Sequence, residues 1–339
     1  MQKWISIALV VALCLTGGIF WKSWAPAAAQ FALREATGQT AHQMTLGVLK
    51  YTDPVMRHIG RYLVPEYTES PDEFFLYFAK EQAPEEEWTE DAIKATNLSA
   101  LSGTYTQING TAVANATDYD VSQQLNSAPA LPTFTPGAPA VLIYHTHTTE
   151  CYRNSKGISN TDDPTQNVVA VGAAMARVFE AAGYQTIHLT DIYNRDFSNA
   201  YATSRAAVEQ VLAQNPTIQV VLDVHRDAIS NNGVDYYPVT EINGKKAAQI
   251  MPVCGTDAKG LSHPRWRNNF TYALALSRRM GALYGQLSRP VNLRRDRFNT
   301  HFTDYTLLLE VGSAANTLDQ AIYGGELTAK AMIDLWNGA

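Results

Sequence analysis

The chain of 339 residues has little cysteine, no long basic segment and no serine nucleophile elbow. It contains 3 cysteines and carries a formal net charge of -6. Without a basic stripe, this negative balance disfavours nucleic-acid binding. The motif G-x-S-x-G does not occur, which disfavours a serine hydrolase. No internal repeat stands out. The length and the 46% hydrophobic content suit one large globular domain together with a smaller region.

The cysteines do not form a disulfide framework. Cys14 lies in an apolar N-terminal run, so Cys151 and Cys254 are the only pair elsewhere in the chain. A bridge between them and two separate buried thiols are both open, because only geometry decides between them.

The N-terminus predicts a membrane anchor over residues 1–24. Residues 4–20 carry no charge, and Trp21 and Trp24 follow as residues typical of a membrane interface. A cleaved signal peptide is the alternative, since small residues follow at 25–29. Either segment would export the remainder of the chain.

The remaining sequence divides into three parts. Residues 25–123 indicate a partly helical, membrane-proximal spacer without a chemical motif, and residues 124–139 form a proline-rich linker. Residues 140–339 alternate between strand and helix patterns, as expected of a catalytic domain.

The alternation predicts an α/β fold with a mostly parallel central sheet flanked by helices. Strands are expected at 184–189, 218–225, 291–293 and 305–312, and helices at 168–182, 201–212, 270–287 and 318–336. Asn243 and Gly244 favour a hairpin insertion between strands 235–242 and 246–253.

Two imidazoles and a carboxylate follow the apolar run at residues 140–143. His145, His147 and Glu150 stand within six residues at an expected strand end. Imidazole nitrogen and carboxylate oxygen suit zinc, whose catalytic sites take three protein ligands and leave one position for water. Only one of the two histidines is needed, so a third ligand must come from elsewhere.

Two further strands carry the matching chemistry. His225 closes the strand at 218–225, and Glu310 interrupts the apolar strand at 305–312. Ligands gather at the carboxyl ends of strands in open α/β sheets, so these residues are expected to meet the first motif. A buried carboxylate is costly without a partner or a task, and activation of a zinc-bound water would supply one.

Four neighbours are candidates for a supporting role. Asp223 shares one side of its strand with His225 and is suited to accept an imidazole N–H. Arg226 and Asp227 follow that ligand, where they would orient it or bind a substrate carboxylate. His301 precedes the Glu310 strand and is a candidate for substrate binding or a simple capping role.

These motifs resemble the stage II sporulation protein P family, over roughly residues 138–337. The resemblance is carried by the strings LIYHTHTTE at 142–150, VHRD at 224–227, and LEVG at 309–312 with Asn316 and Thr317. That family resembles, more distantly, the zinc-dependent N-acetylmuramoyl-L-alanine amidases. The resemblance implies an amidase-like fold and a membrane-anchored cell-wall hydrolase.

Carried over residue by residue, the resemblance implies zinc ligands at His147, Glu150 and His225 and a catalytic carboxylate at Glu310. His145 remains an alternative ligand, or a neighbour that binds substrate or supports a ligand. The amidases place their carboxylate ligand at the start of the next helix, where this chain has no Glu, so Asp163 is a reserve for Glu150. Cys151 stands where the family usually has Ser and is a possible extra contact to the metal.

The expected reaction is hydrolysis of the amide between N-acetylmuramic acid and L-alanine in peptidoglycan, with peptide cross-links as further substrates. The resemblance also implies septal wall remodelling during engulfment, an extracytoplasmic catalytic domain on a single-pass membrane protein, and partners that include a companion wall hydrolase and a membrane scaffold. The alternatives are a zinc carboxypeptidase or endopeptidase of wall peptides and a non-catalytic wall-binding protein.

Overall fold

The computed structural model describes residues 93–96, 106–108, 111–154, 157–231 and 234–338. The expected membrane anchor at residues 1–24, with its signal-peptide alternative, lies outside the described residues. Among the helices of the described part, none has the length and apolar character that a membrane crossing requires.

An eight-stranded sheet forms the centre of the fold. Its spatial order is β2-β3-β11-β10-β12-β6-β4-β5. The strands are β2 (Thr106–Ile108), β3 (Thr111–Asn115), β4 (Pro139–Tyr144), β5 (Gln185–His188), β6 (Val220–Asp227), β10 (Ile250–Cys254), β11 (Val291–Leu293) and β12 (Tyr305–Ser313).

The sheet is mostly parallel, as predicted. Strands β5, β4, β6 and β12 pair in parallel, as do β10, β11 and β3, whereas β12 with β10 and β3 with β2 pair antiparallel. The parallel strands β4, β6 and β12 therefore end at the same edge, where the sequence places its metal-ligand motifs.

Helices cover both faces of this sheet. In the part of the chain that the structure describes, the α-helices are α1 (Ser122–Asn126), α2 (Val168–Ala181), α3 (Ala200–Gln214), α4 (Trp266–Tyr284) and α5 (Leu318–Trp336). Side chains of α2, α4 and α5 form the main core with one face. Val208 of α3 packs with Leu142, Tyr144 and Val221 in a smaller cluster on alternate strand positions. The fold is thus a three-layer α/β arrangement.

The ends of two helices follow from local side-chain chemistry. At the start of α2, the side chain of Asn167 accepts a hydrogen bond from the backbone N–H of Val169. At the start of α5, Thr317 and Gln320 form a reciprocal capping box. Both pairings satisfy N–H groups that the first helical turn leaves without partners.

A second, four-stranded sheet contains the predicted hairpin. It consists of β1 (Ile93–Thr96), β7 (Ser230–Asn231), β8 (Val234–Ile242) and β9 (Lys245–Ala248). Asn243 and Gly244 have φ values of 53° and 73°, as a type I′ turn requires. The predicted second strand at 246–253 is two strands, since β9 ends at Ala248 and β10 joins the central sheet.

Residues 106–108 and 111–115, predicted as part of the spacer, supply strands β2 and β3 to the central sheet. β3 pairs with β11, and Val113 is buried in the main core. Phe134 of the expected linker packs edge-on against Tyr184 and Trp336. Strands β2 and β3, with three and five residues, are too short to show a clear apolar period in the sequence. The division of the chain into domains stays a prediction.

Candidate metal centre

The loop after β4 is fixed in place by backbone hydrogen bonds. The Glu150 N–H donates to the His147 carbonyl at 3.1 Å, and the Val168 N–H at the start of α2 donates to the Glu150 carbonyl at 2.9 Å. Every residue from 145 to 150 except Thr149 is buried. The loop therefore holds its side chains in set positions at the sheet edge.

His147, Glu150 and His225 converge at this edge. Each offers one ligand atom, and the three atoms lie within 4.8 Å of one another. His147 Nδ1 lies 3.3 Å from Glu150 Oε1, and His225 Nδ1 lies 3.6 Å from Glu150 Oε2. All three side chains are buried, with 3 to 7% of each residue exposed. The two sequence-distant motifs meet as expected.

Asp223 supports His225 from behind. Its Oδ1 atom lies 2.8 Å from His225 Nε2, so Nδ1 is the imidazole nitrogen that faces Glu150. Burial alone would lower the pKa of His225, but the negative charges of Asp223 and Glu150 raise it well above its ordinary value. Two carboxylates around one buried imidazole create a negative pocket that suits a cation.

Arg226 contacts Glu150 and the loop that follows it. Its backbone N–H donates to Glu150 Oε2 at 3.2 Å, and its guanidinium donates to the carbonyl oxygens of Cys151 and Ser159. Burial by itself would raise the pKa of Glu150, yet the charge of Arg226 and hydrogen bonds from both histidines hold it well below its usual range. Glu150 is therefore ionised, as a metal ligand must be.

Glu310 stands directly beside His225 in the sheet. The two are register partners on parallel strands β12 and β6, so their side chains leave the same face. Glu310 is half-buried, and its Oε2 atom is buried without a hydrogen-bond partner among the described residues. Burial and the charge of Asp227 raise the pKa of Glu310 to about 8, although His225 opposes them.

A backbone irregularity follows Glu310. The pairing of β12 with β6 shifts between Glu310 and Ser313, and Gly312 has a φ of 71°. A Cβ at Gly312 would lie 2.6 Å from Asn316 Oδ1, which accepts the Ser313 N–H at 2.8 Å. The glycine and asparagine of the sequence motif thus shape the bulge that ends the strand.

His145 does not join the cluster. Its Nδ1 lies 2.8 Å from the Val224 carbonyl oxygen, and its Nε2 lies 2.8 Å from His188 Nε2. Burial and the neighbouring His188 lower the pKa of His145 to about 3. Both ring nitrogens of His145 are used inside the core, which opposes its role as the alternative ligand.

The reserve positions also lie elsewhere. Asp163 Oδ1 is exposed and accepts hydrogen bonds from Thr165, and Asp162 pairs with Arg195 on the surface. Cys151 Sγ donates to the Ile158 carbonyl at 3.2 Å, and burial raises the pKa of its thiol to about 11. A protonated thiol engaged in this way is not an extra ligand. Cys151 and Cys254 are both free thiols.

Asp227 and His301 have partners outside the cluster. Asp227 Oδ2 lies 2.8 Å from Arg289 Nη2, and the charges of both residues act on Glu310. His301 stacks on Phe302 and faces His263, and burial lowers its pKa to about 3. Asp227 therefore contacts Arg289 and influences Glu310 through its charge, whereas His301 packs with Phe302 and His263.

Sequence reasoning missed two sets of residues near the cluster. The first is Arg289, whose surrounding sequence contains no motif. Its position beside Asp227 is visible only in the folded structure. The second set is a chain of buried hydrogen bonds that ends at Asp223. Its members are Thr146, Ser204 and Asn299. Neither set has a spacing signal, because the partners come from different elements.

The donor set fits a divalent cation. Two imidazoles and one ionised carboxylate converge, the carboxylate of Asp223 orients one imidazole, and a half-buried Glu310 stands alongside. Three protein ligands with space for one more are typical of a catalytic metal site, whereas a structural site is closed by a fourth. The arrangement can therefore hold a metal ion.

Fold and site together define an α/β protein with a two-histidine, one-carboxylate candidate metal centre at the carboxyl edge of a mostly parallel sheet. The chain belongs to the stage II sporulation protein P family, whose model matches residues 63–333. This membership agrees with the resemblance read from the sequence motifs.

One similar protein is stage II sporulation protein P of Bacillus subtilis (strain 168). It is 30% identical over 196 residues, and the alignment covers 53% of this chain and 47% of that protein. The match thus spans about half the length of this curated relative. The activity and partners of the whole protein are therefore matters for proposal.

Among solved structures, two similar chains are amidases. N-acetylmuramoyl-L-alanine amidase AmiC2 of Nostoc punctiforme is 13% identical with a TM-score of 0.38, covering 60% of this chain and 98% of that one. The CwlD amidase from Clostridioides difficile, solved in complex with the GerS lipoprotein, is 12% identical with a TM-score of 0.39, covering 59% and 98%. Similarities this distant do not assign an activity.

Proposed function

We propose that this chain is a zinc-dependent hydrolase of peptidoglycan that cleaves the amide between N-acetylmuramic acid and L-alanine. The observation that carries the proposal is the buried cluster of His147, Glu150 and His225 with Glu310 in register beside it. Membership of a sporulation family supports the cell-wall setting. The choice of this particular amide rests on the resemblance of the sequence motifs to the amidases.

In this proposal, His147, Glu150 and His225 hold the metal. A bound zinc ion would supply Lewis-acid chemistry, polarising an amide carbonyl and lowering the pKa of a water molecule. A ligand set of two imidazoles and one carboxylate suits zinc, whereas magnesium and calcium prefer sites with oxygen ligands only. The negative charge of Asp223, 2.8 Å from Nε2, favours the tautomer of His225 that carries its proton on Nε2 and presents Nδ1.

Glu310 is the proposed general base and acid. It takes a proton from the attacking water and returns it to the leaving amine. Its pKa of about 8 lies close to neutral, where a proton carrier works best, and a cation bound beside it would shift that value downward. The buried Oε2 atom, without a hydrogen-bond partner among the described residues, is free to accept that proton.

The setting of the reaction is part of the same proposal. We place the catalytic region outside the cytoplasm, in wall remodelling at the sporulation septum, with residues 1–24 as its membrane anchor. A companion glycan-cleaving protein and a membrane scaffold are the proposed partners. These assignments rest on the family and on the apolar N-terminal sequence.

The decisive experiment is digestion of purified wall sacculi with zinc-loaded protein, followed by mass analysis of the products. It uses the full chain, because residues 106–108 and 111–115 supply two strands of the sheet. We expect peptides with a free L-alanine amino group and glycan with a free lactyl carboxyl group. A chelator should stop the release.

Glu310→Gln is the matched test of the proposed base. General acid–base assistance contributes about 10² to 10⁴ in rate, so the variant should lose that much turnover while it still binds zinc. Glu180→Gln, at an exposed position on α2, is the control and should cleave normally. Chelator-resistant cleavage would refute the metal mechanism. Cleavage of the peptide cross-links, with the glycan-to-alanine bonds left intact, would indicate an endopeptidase instead.

A further inference from the structure

Two aromatic rings pack against His147 of the metal cluster, and a third ring packs against one of them. The ring centroid of His147 lies 4.7 Å from that of Phe197 and 5.5 Å from that of Tyr201. Tyr201 in turn lies 5.8 Å from Phe298. All three rings are half-buried, so each keeps a surface open to solvent. We call Phe197, Tyr201 and Phe298 the aromatic wall.

The backbone at Phe298 is strained. Its φ of 46° lies in the left-handed region, which bulky side chains rarely adopt. Such conformations persist only where surrounding contacts enforce them, and they cluster at functional sites. The next residue, Asn299, is fully buried and donates to the Tyr201 carbonyl at 2.8 Å and to Ser204 Oγ at 3.1 Å. The Phe298 loop is thereby fixed to α3.

The same hydrogen bonds connect the aromatic wall to the metal cluster. Ser204 Oγ lies 2.9 Å from Thr146 Oγ1, and Thr146 donates to both oxygens of Asp223, at 2.8 Å from its N–H and 2.7 Å from its hydroxyl. Asp223 pairs with His225. Each residue in this series of hydrogen bonds is at most 3% exposed. The series therefore holds the aromatic wall at a set position relative to the proposed ligands.

The Glu310 side of the site differs from the aromatic wall because its groups are charged. There Glu310 lies within the electrostatic reach of Asp227 and Arg289, which form an ion pair at 2.8 Å. Arg289 is 8% exposed, and its Nη1 atom has no hydrogen-bond partner in the part of the chain that the structure describes. The rings thus accompany His147, which follows β4, whereas the charged groups accompany Glu310 on β12, and β6 lies between these two strands.

We propose that the aromatic wall binds the sugar ring next to the scissile amide, an N-acetylated hexose of the glycan strand. This inference rests on the proposed function, because an amide at the glycan–peptide junction has a sugar on one side only. A pyranose is uncharged and presents an apolar C–H face, which packs on aromatic rings. The peptide side of the junction carries carboxylates, which suit the flank with Arg289.

The test compares two soluble substrates that share one peptide. The first is a disaccharide peptide, and the second carries only a lactyl group in place of the sugars. Phe298→Asn removes the ring with a residue that tolerates positive φ, and Phe197→Leu removes a ring but keeps apolar volume. Tyr284→Leu, a half-buried aromatic on α4, is the control.

Loss of one ring contact should lower kcat/KM for the sugar-bearing substrate about tenfold, mainly through KM. The same variants should leave kcat/KM for the sugar-free substrate within about twofold of wild type, since that substrate never reaches the wall. A parallel fall for both substrates would overturn the proposal and show that the wall serves the peptide or merely supports the fold. No fall for either would also overturn it.

Equilibrium binding separates this inference from the proposed function. The disaccharide peptide is titrated into Glu310→Gln protein with and without Phe298→Asn, so that no turnover is required. Weaker binding of the sugar-bearing ligand by the double variant, with equal binding of the sugar-free ligand, supports the aromatic wall. Equal binding of the sugar-bearing ligand would refute it, whatever bond the enzyme cuts.

Discussion

The two halves of one sequence motif have opposite environments. His147 lies with His225 among the carboxylates of Glu150 and Asp223 at the sheet edge. His145, two residues earlier, lies against His188 inside the core, with their Nε2 atoms 2.8 Å apart. Both pairs bring two imidazoles together, yet within the described residues only the first pair has a carboxylate in direct contact with an imidazole.

The neighbouring carboxylates account for the difference. Despite the effect of burial, the charges of Asp223 and Glu150 raise the pKa of His225 well above its ordinary value. With no carboxylate partner, burial lowers the pKa of His188 to about 4. The first pair thus lies in a pocket that attracts a cation, and the second is a neutral hydrogen-bonded pair. Residue type alone does not make a histidine a ligand.

Replacing one histidine of each pair should give the largest difference in zinc affinity between two variants. His225→Ala should weaken zinc binding by more than the 10- to 100-fold that loss of a supporting partner typically costs, because a ligand itself is gone. His145→Gln should leave zinc affinity within about threefold of wild type, since both its ring nitrogens face protein atoms. Competition with a fluorescent zinc chelator measures both.

Circular dichroism provides the control for folding in both variants. If His145→Gln lost zinc as completely as His225→Ala while folded, His145 would be a ligand and the contrast between the two pairs would fail.

Asp223→Asn should have the next largest effect. It keeps the size of the side chain but removes the charge that orients and polarises His225. Loss of such a supporting carboxylate lowers metal affinity about 10- to 100-fold. Asp235→Asn, on the central strand β8 of the small sheet, is the control. Unchanged affinity in Asp223→Asn, measured by the same competition, would separate Asp223 from the metal site.

The neutral pair should show its effect in the pH dependence of stability. The pKa of His145 falls to about 3 and that of His188 to about 4, below the usual 6.5. The unfolded chain therefore binds more protons, and the contribution to stability is full above pH 6.5 and lost as the pH falls towards 3. His188→Gln should remove part of this loss.

Urea unfolding of metal-free protein at pH 7 and pH 5 measures that difference. Between these pH values, wild type should lose about 1 to 2 kcal/mol more unfolding free energy than His188→Gln, since one pKa unit corresponds to about 1.4 kcal/mol. An identical loss in both proteins would mean that the pair is not held neutral in the folded state.

Much of the fold is predictable where periodicity is strong. The strand Val291–Leu293 and the helix Leu318–Trp336 match their predicted bounds. Strands β2 and β3 are not predictable, because segments of three and five residues are too short to carry a clear apolar alternation. The split between β9 and β10 was missed because Gln249 continues the pattern while its backbone turns from one sheet to the other.

The site divides in a similar way. His225 and Glu310 are recognisable because a charged or polar side chain inside a buried strand needs a reason, and Asp223 follows from its shared strand face. Phe298 and Arg289 are not recognisable, since an aromatic in a loop and an arginine in a turn are common. Their roles depend on tertiary contacts with Tyr201 and Asp227.

The most direct test of the metal centre is zinc X-ray absorption of protein loaded with one equivalent of zinc. We predict two imidazole nitrogens and additional oxygen neighbours at about 2.0 to 2.2 Å in wild type. His225→Ala should lose one imidazole or the zinc itself. A zinc–sulfur distance of about 2.3 Å, or identical wild-type and His225→Ala spectra, would contradict a centre built from His147, Glu150 and His225.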